Sequence, residues 1–278
     1  MLQRHGRSSE DGSEETVIST TDNASVQNKT KTVVLVGEQF HGFAALPGVR
    51  TVSEFTTEVA AGEYTGTDQY VEIARGQGVS ENALDDLRAT IGRLEMDERV
   101  HISDDSGCRA GGDVVHKHNS ENVLLSNLRQ LGPQTFAAWL RVDGGNELLQ
   151  DHQTGLHVQG MVGVEATRQM FLALFEVGYR HRWPSNKYFM VWNSMEIDFE
   201  NFLFPVSATV TATVLKADLH DPSKLDFRVR IEIQQSGRRA SCATVGFTAF
   251  EWQRIGAIEQ RRAVAALTKL HGTERWPT

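Results

Sequence analysis

VQGMVGVEATRQMFLALFEVG, running from Val158 to Gly178, is the stretch on which the fold turns. It is apolar on nearly every side, with Met161, Val164, Phe171, Leu172 and Phe175 among its large residues, while most of its polar groups gather between Glu165 and Gln169. A helix that is apolar all round belongs inside a protein, with other layers covering it. The segments that follow supply such a layer. Val206, Ala208, Val210, Ala212 and Val214 alternate with Ser207, Thr209, Thr211 and Thr213, and Phe227, Val229, Ile231 and Ile233 alternate with Arg228, Arg230 and Glu232. Ala243, Val245, Phe247 and Ala249 repeat the pattern. A period of two marks half-buried strands, and Ser236-Gly237 offers turn chemistry between the last two. Short apolar runs from Val114 to Val142 predict one or two strands before the helix. Together these segments predict an α+β fold in which an antiparallel sheet wraps around one long central helix.

Upstream the pattern changes. Thr32 to Gly37 is a continuous apolar run of the kind that makes a strand buried on both faces. Ser53 is placed to cap a short helix through Phe55 and Val59, and Gln69 to Ala74 reads as a second strand. Ser80 is placed to cap a clearer helix, on which Leu84, Leu87, Ile91 and Leu94 recur at helical spacing. Arg99 to Ile102 returns as a third strand. This order predicts a small α/β module with a parallel sheet over residues 32–103. Between Ser103 and Asp113 the residues Asp104, Asp105, Gly107, Gly111 and Gly112 interrupt all periodicity, which sets a domain boundary. The second domain is expected over residues 113–256, with a C-terminal helix or tail over 257–278. Residues 1–31, rich in Ser, Thr, Glu, Asp, Asn and Gly, read as a disordered tail.

Composition narrows the function classes. The chain has 278 residues and a formal charge of -8, so no overall basic field attracts phosphate backbones, and nucleic acid is not an expected partner. No apolar run is long enough to span a bilayer and no leader pattern opens the chain, which points to a cytoplasmic protein. The two cysteines, Cys108 and Cys242, stand far apart and match no metal-ligand spacing, so no metal is expected. Gly37-Glu38-Gln39-Phe40-His41-Gly42 fits neither a dinucleotide fingerprint nor a phosphate loop, so no cofactor is expected.

The chemistry concentrates at the start of the central helix. His152 and His157 immediately precede it, and Glu165, Arg168 and Gln169 at i, i+3 and i+4 share one helix face. The plain reading of Glu165 and Arg168 is an intrahelical ion pair. His157-Val158-Gln159-Gly160-Met161, then after three residues Glu165-Ala166-Thr167-Arg168-Gln169, resembles the glycine-then-Glu-Ala-x-x-Arg-Gln helix start of the A-factor biosynthesis (AfsA-type) family. Val115-His116-Lys117 with Glu121 resembles that family's opening motif, and Gly178-Tyr179, Tyr188-Phe189 and Met195 to Phe199 resemble its continuation.

The resemblance implies a hotdog fold and condensation of a β-ketoacyl thioester, carried on acyl carrier protein or coenzyme A, with a triose phosphate such as dihydroxyacetone phosphate. The product would be of the butenolide or γ-butyrolactone class. In that reading Glu165 is the acid/base, its pKa raised by an apolar pocket, Arg168 binds the anion, and His157 or His152 assists. Gln169, Gly160 and Met161 contact substrate, while Arg180, Arg182 and Lys187 dock the carrier, unless that cluster is simply a solvated loop. Enzymes of the family carry two such repeats, whereas this chain shows one, which implies a homodimer. His152-Gln153-Thr154-Gly155 also resembles the His-x-x-Gly of hotdog dehydratases, so a dehydratase or a thioesterase stays open, as does a non-catalytic acyl-binding scaffold.

Overall fold

The computed structural model describes residues 30–65, 70–103, 107–150 and 154–271. Its first part runs β1 (Thr30–Val36), α1 (His41–Ala44), β2 (Val49–Thr51), α2 (Val52–Ala60), β3 (Tyr70–Arg75), α3 (Glu81–Arg93) and β4 (Val100–Ser103). All four strands are parallel, in the order β2-β1-β3-β4. Thr30 and Lys31 belong to β1, so the segment read as a tail ends earlier than expected; what precedes it lies outside the described residues. α2 is capped by Thr51, not Ser53: the Thr51 hydroxyl accepts the Glu54 N–H while the Glu54 carboxylate accepts the Thr51 N–H. Ser80 caps α3 as its position predicts. β2 is only three residues long, too short to show a period, and was not foreseen.

The second part opens with α4 (Gly112–Val115) and continues through β5 (Leu125–Gly132), β6 (Thr135–Leu140), α5 (Gly160–Gly178), β7 (Tyr188–Phe199), β8 (Ala208–Asp218), β9 (Lys224–Gln235), β10 (Arg238–Glu251) and α6 (Trp252–His271). Its six strands form one antiparallel sheet in the order β5-β6-β8-β9-β10-β7. β9 and β10 join through Ser236 and Gly237, both at positive φ (50° and 74°), the condition for the tight hairpin turns whose twist matches the strands. The C-terminal helix begins at Trp252, directly after β10, rather than near residue 257.

α5 fills the concave side of this sheet. Val162, Ala166, Met170, Phe171, Leu174 and Phe175 are buried with Val210, Ala212, Val229, Ile231, Val245 and Phe247, the inward residues of the alternating strands. Met161, counted among the apolar residues of that helix, is instead 57% exposed, because at i, i+4 and i+7 it shares the helix face of Glu165 and Arg168, while its neighbour Val162 is buried. The core does not stop at the domain boundary. Val36, Phe40, Ala44 and Val49 of the parallel-sheet module belong to the same buried cluster as α5. The Gln77 side chain ties the joint: its amide donates to the Leu140 and Val206 carbonyls (3.0 and 3.2 Å) and its oxygen accepts the Val142 N–H (2.7 Å).

Candidate active site

Two cavities flank the first half of α5, and helical geometry explains why they are separate. Gly163 and Glu165 are two residues apart, roughly 200° around the helix, so they occupy opposite faces. On the Gly163 face a cavity of about 200 Å³ is lined by His157, Gly160, Phe199, Phe202, Ile233 and neighbouring backbone. Gln159, which also lines this cavity, is the N-cap residue and its side chain makes no capping hydrogen bond, so the positive end of α5 lies at the cavity. Glycine at 160 lets the Phe199 ring approach, since a Cβ there would stand 3.2 Å from it. His157 holds its Nδ1 3.0 Å from the Thr154 hydroxyl and packs its ring on Phe202, centroids 4.9 Å apart.

On the other face lies a smaller polar cavity of about 100 Å³, lined by Lys117, Asn122, Asn146, Glu147, Leu148 and Glu165. Arg168 Nε and Nη2 donate to Oε2 and Oε1 of Glu165 at 2.8 and 2.9 Å. Lys117 Nζ stands 2.9 Å from Oε1, and Gln169 Nε2 donates to the same oxygen at 3.0 Å. Lys117 is delivered by the turn after α4, where His116 takes a left-handed conformation at φ 55°. The sequence reading gave Glu165 a raised pKa; the structure reverses that. Burial does push the carboxyl up, but the hydrogen bonds from Arg168, Lys117 and Gln169 outweigh it and hold Glu165 below the ordinary carboxylate range. Glu165 is therefore an ionised carboxylate clamped by two cations.

Gln169 is fully buried and its amide is fully engaged, accepting the Leu124 N–H at 2.8 Å and donating to the Asn122 carbonyl at 2.8 Å as well as to Glu165. It latches the 122–124 segment to α5. Gly160 lines the apolar cavity, whereas the polar cavity takes Glu165; His157 and Glu165 thus line different cavities of one copy. His152 lies outside the described residues. Arg180 pairs with Glu176 at 3.3 Å, Arg182 lies 5.0 Å over the Tyr179 ring, and Lys187 precedes β7. All three stand at the far end of α5, about 27 Å from Gly160 by helical rise.

Several lining residues escaped the sequence reading. Lys117 and Phe199 enter it only as parts of motifs, and Phe202 not at all, although Phe202-Leu203-Phe204 is an apolar run outside any strand period. Among the described residues no group of three or more His, Cys, Asp or Glu is placed to hold a metal, and no helix is long and apolar enough to cross a membrane.

Residues 103–251 match the family model described as the A-factor biosynthesis hotdog domain. Among solved structures, a conserved protein of Pseudomonas aeruginosa is 14% identical with a TM-score of 0.33, covering 44% of this chain and 86% of its own. A mutant thioesterase of the same organism is 14% identical with a TM-score of 0.34, covering 50% and 85%. A hypothetical thioesterase of Streptococcus pneumoniae, solved with coenzyme A, is 12% identical with a TM-score of 0.32, covering 45% and 85%. Likeness at this level carries no argument about activity. No curated protein matches the chain.

Proposed function

Because the chain belongs to the A-factor biosynthesis hotdog family, we propose that it is an enzyme acting on an acyl thioester, with the acyl chain in the apolar cavity at the start of α5. The observation that carries this reading is the combination, at one place, of an apolar cavity, the positive end of a buried helix and an imidazole. The cavity suits the chain. The helix end suits the negative charge that grows on a thioester oxygen during acyl transfer, and His157 is the nearby group able to carry a proton.

The finer reading is condensation of a β-ketoacyl thioester, on acyl carrier protein or coenzyme A, with a triose phosphate. A hydroxyl oxygen of the acceptor attacks the thioester carbonyl carbon while its proton passes to a base. The tetrahedral adduct then collapses, the C–S bond breaks, and the departing sulfur takes up the proton. Arg168 and Lys117 are partly accessible, with side chains 28% and 24% exposed, and suit the phosphate of the acceptor. Glu165, ionised, fits the role of fixing those two cations better than that of an acid. This weakens the dehydratase reading, which asks the helix carboxyl to donate a proton.

The acyl cavity and the cationic pair lie on opposite faces of one helix, so a single active site needs two copies. β7 is an edge strand carrying the half-exposed rings of Phe189, Trp192 and Phe199, and a second copy pairing there is the expected partner. The test is to incubate the protein with a β-ketoacyl carrier protein and dihydroxyacetone phosphate and follow both by mass spectrometry. A coupled phosphorylated ester formed only with both substrates supports condensation; release of free acid or water instead would replace it. His157→Ala and Arg168→Ala are each expected to be inactive, and their equimolar mixture to regain about a quarter of the parent rate, since half the dimers are mixed and one site of each is intact. No recovery on mixing would place each site within one copy.

A further inference from the structure

The apolar cavity has room for a short acyl chain but is small for a long one: about 200 Å³, below the range of roughly 300–1,000 Å³ usual for ligand pockets. Its apolar surface does not end at its rim. Phe202, which lines it, is 69% exposed, and a run of rings continues outward from it. The Phe202 and Phe204 centroids are 6.4 Å apart, and Phe204 stacks on Phe43 at 5.8 Å with planes 25° apart. Phe43 belongs to α1, in the parallel-sheet module. Phe204 is held in place through its backbone: its N–H donates to the Gln235 side chain, which donates back to its carbonyl, both at 2.9 Å.

The same short helix holds the loop that carries His157. The Phe43 N–H donates to the Gly155 carbonyl at 2.9 Å. A Cβ on Gly42 would stand 3.0 Å from that oxygen, and Gly155 itself takes φ +75° with the His41 ring close by, so both positions call for glycine. Next along the loop, Thr154 holds the His157 ring. The module therefore touches the candidate site twice, by backbone at the His157 loop and by a ring at the end of the aromatic run.

We propose that the parallel-sheet module is the specificity element of the acyl site: Phe202, Phe204 and Phe43 form a track along which an acyl chain too long for the cavity lies. This rests on the acyl-thioester reading above and adds to it a preference for chains longer than the cavity alone accepts. Aromatic rings offer large apolar area with few rotatable bonds, so such a track binds a flexible chain at little ordering cost to the protein.

The probes are non-hydrolysable thioether analogues of butyryl- and decanoyl-pantetheine, with binding to the full chain measured by calorimetry. The parent is expected to bind the decanoyl analogue more tightly. Phe43→Ala and Phe204→Ala should each weaken the decanoyl analogue about three- to tenfold and leave the butyryl analogue unchanged, in line with the worth of one ring contact. Phe43→Leu, which keeps most of the packing, guards against loss of fold and should give a smaller effect in the same direction. Equal weakening of both analogues, or of neither, overturns the proposal. If the parent binds neither analogue the acyl-thioester reading itself falls, a result distinguishable from the first. If the ring variants instead turn a dimer into a monomer without chain-length dependence, the rings are a subunit contact and the track is rejected.

Discussion

Glu165 shows how one side chain changes meaning with its surroundings. In isolation a carboxyl on an apolar helix is expected to hold its proton; with Arg168, Lys117 and Gln169 on its oxygens it is an anion. The consequence for stability has a definite sign. A carboxyl with a lowered folded pKa contributes stability that is fully present above its unfolded value, about 4.3, and disappears as pH falls through the lower folded value. Glu165→Gln should therefore melt at a lower temperature than the parent at pH 7, and the gap should close on acidification below about pH 4. Thermal melts over that range decide it: a gap that stays constant would mean the carboxylate is not held by its cations. Gln169 belongs to the same scale: fully buried, it ties Asn122 and Leu124 to α5 and donates to Glu165.

Among the elements, α5 carries the most constraint. Its last residue, Gly178, packs so closely that a Cβ would stand 2.4 Å from the Phe136 ring, which is itself fully buried and has nowhere to go. Gly178→Ala is expected to destabilise the protein by about 1–3 kcal/mol, the usual cost of overpacking, despite alanine's better helix propensity. Urea unfolding measures this directly, and a higher midpoint than the parent would show that the ring yields. β7 differs from the strands that precede and follow it: one side pairs with β10, while the other is the open edge of the sheet. Its pattern was only partly legible because exposed aromatics blur the alternation that identified β8, β9 and β10.

For the whole molecule, the decisive feature is that the core around α5 reaches into the parallel-sheet module, which also keeps a core of its own around Leu35, Phe55, Ile73 and Leu87. Val36, Phe40, Ala44 and Val49 are buried against the α5 layer, and Gln77 satisfies three backbone groups across the joint. Arg141, after β6, also reaches Glu81 of α3, so a charge pair crosses it as well. Gln77→Ala would leave the Val142 N–H and the Leu140 carbonyl without these partners in a buried place, at a cost of about 1–3 kcal/mol for each group left unsatisfied, while the Val206 carbonyl keeps its bond from Gln235. The expected result is a lower midpoint with the two parts beginning to unfold separately, seen as non-coincident transitions by tryptophan fluorescence and circular dichroism. A single unshifted transition would show that the apolar contacts hold the joint alone.

The sequence by itself determined that one buried helix would be wrapped by an antiparallel sheet, and which short segment at its start would carry the polar groups. Burial periodicity is a local property of the backbone and is written in consecutive residues such as Val206 to Val214. Only the tertiary structure decided that Lys117 meets Glu165, that His157 and Glu165 line different cavities, and that Phe43 joins the rings beside His157. These outcomes depend on contacts between distant parts of the chain, and the energy that selects them, apolar burial and charge pairing in the assembled core, does not exist until the chain has folded.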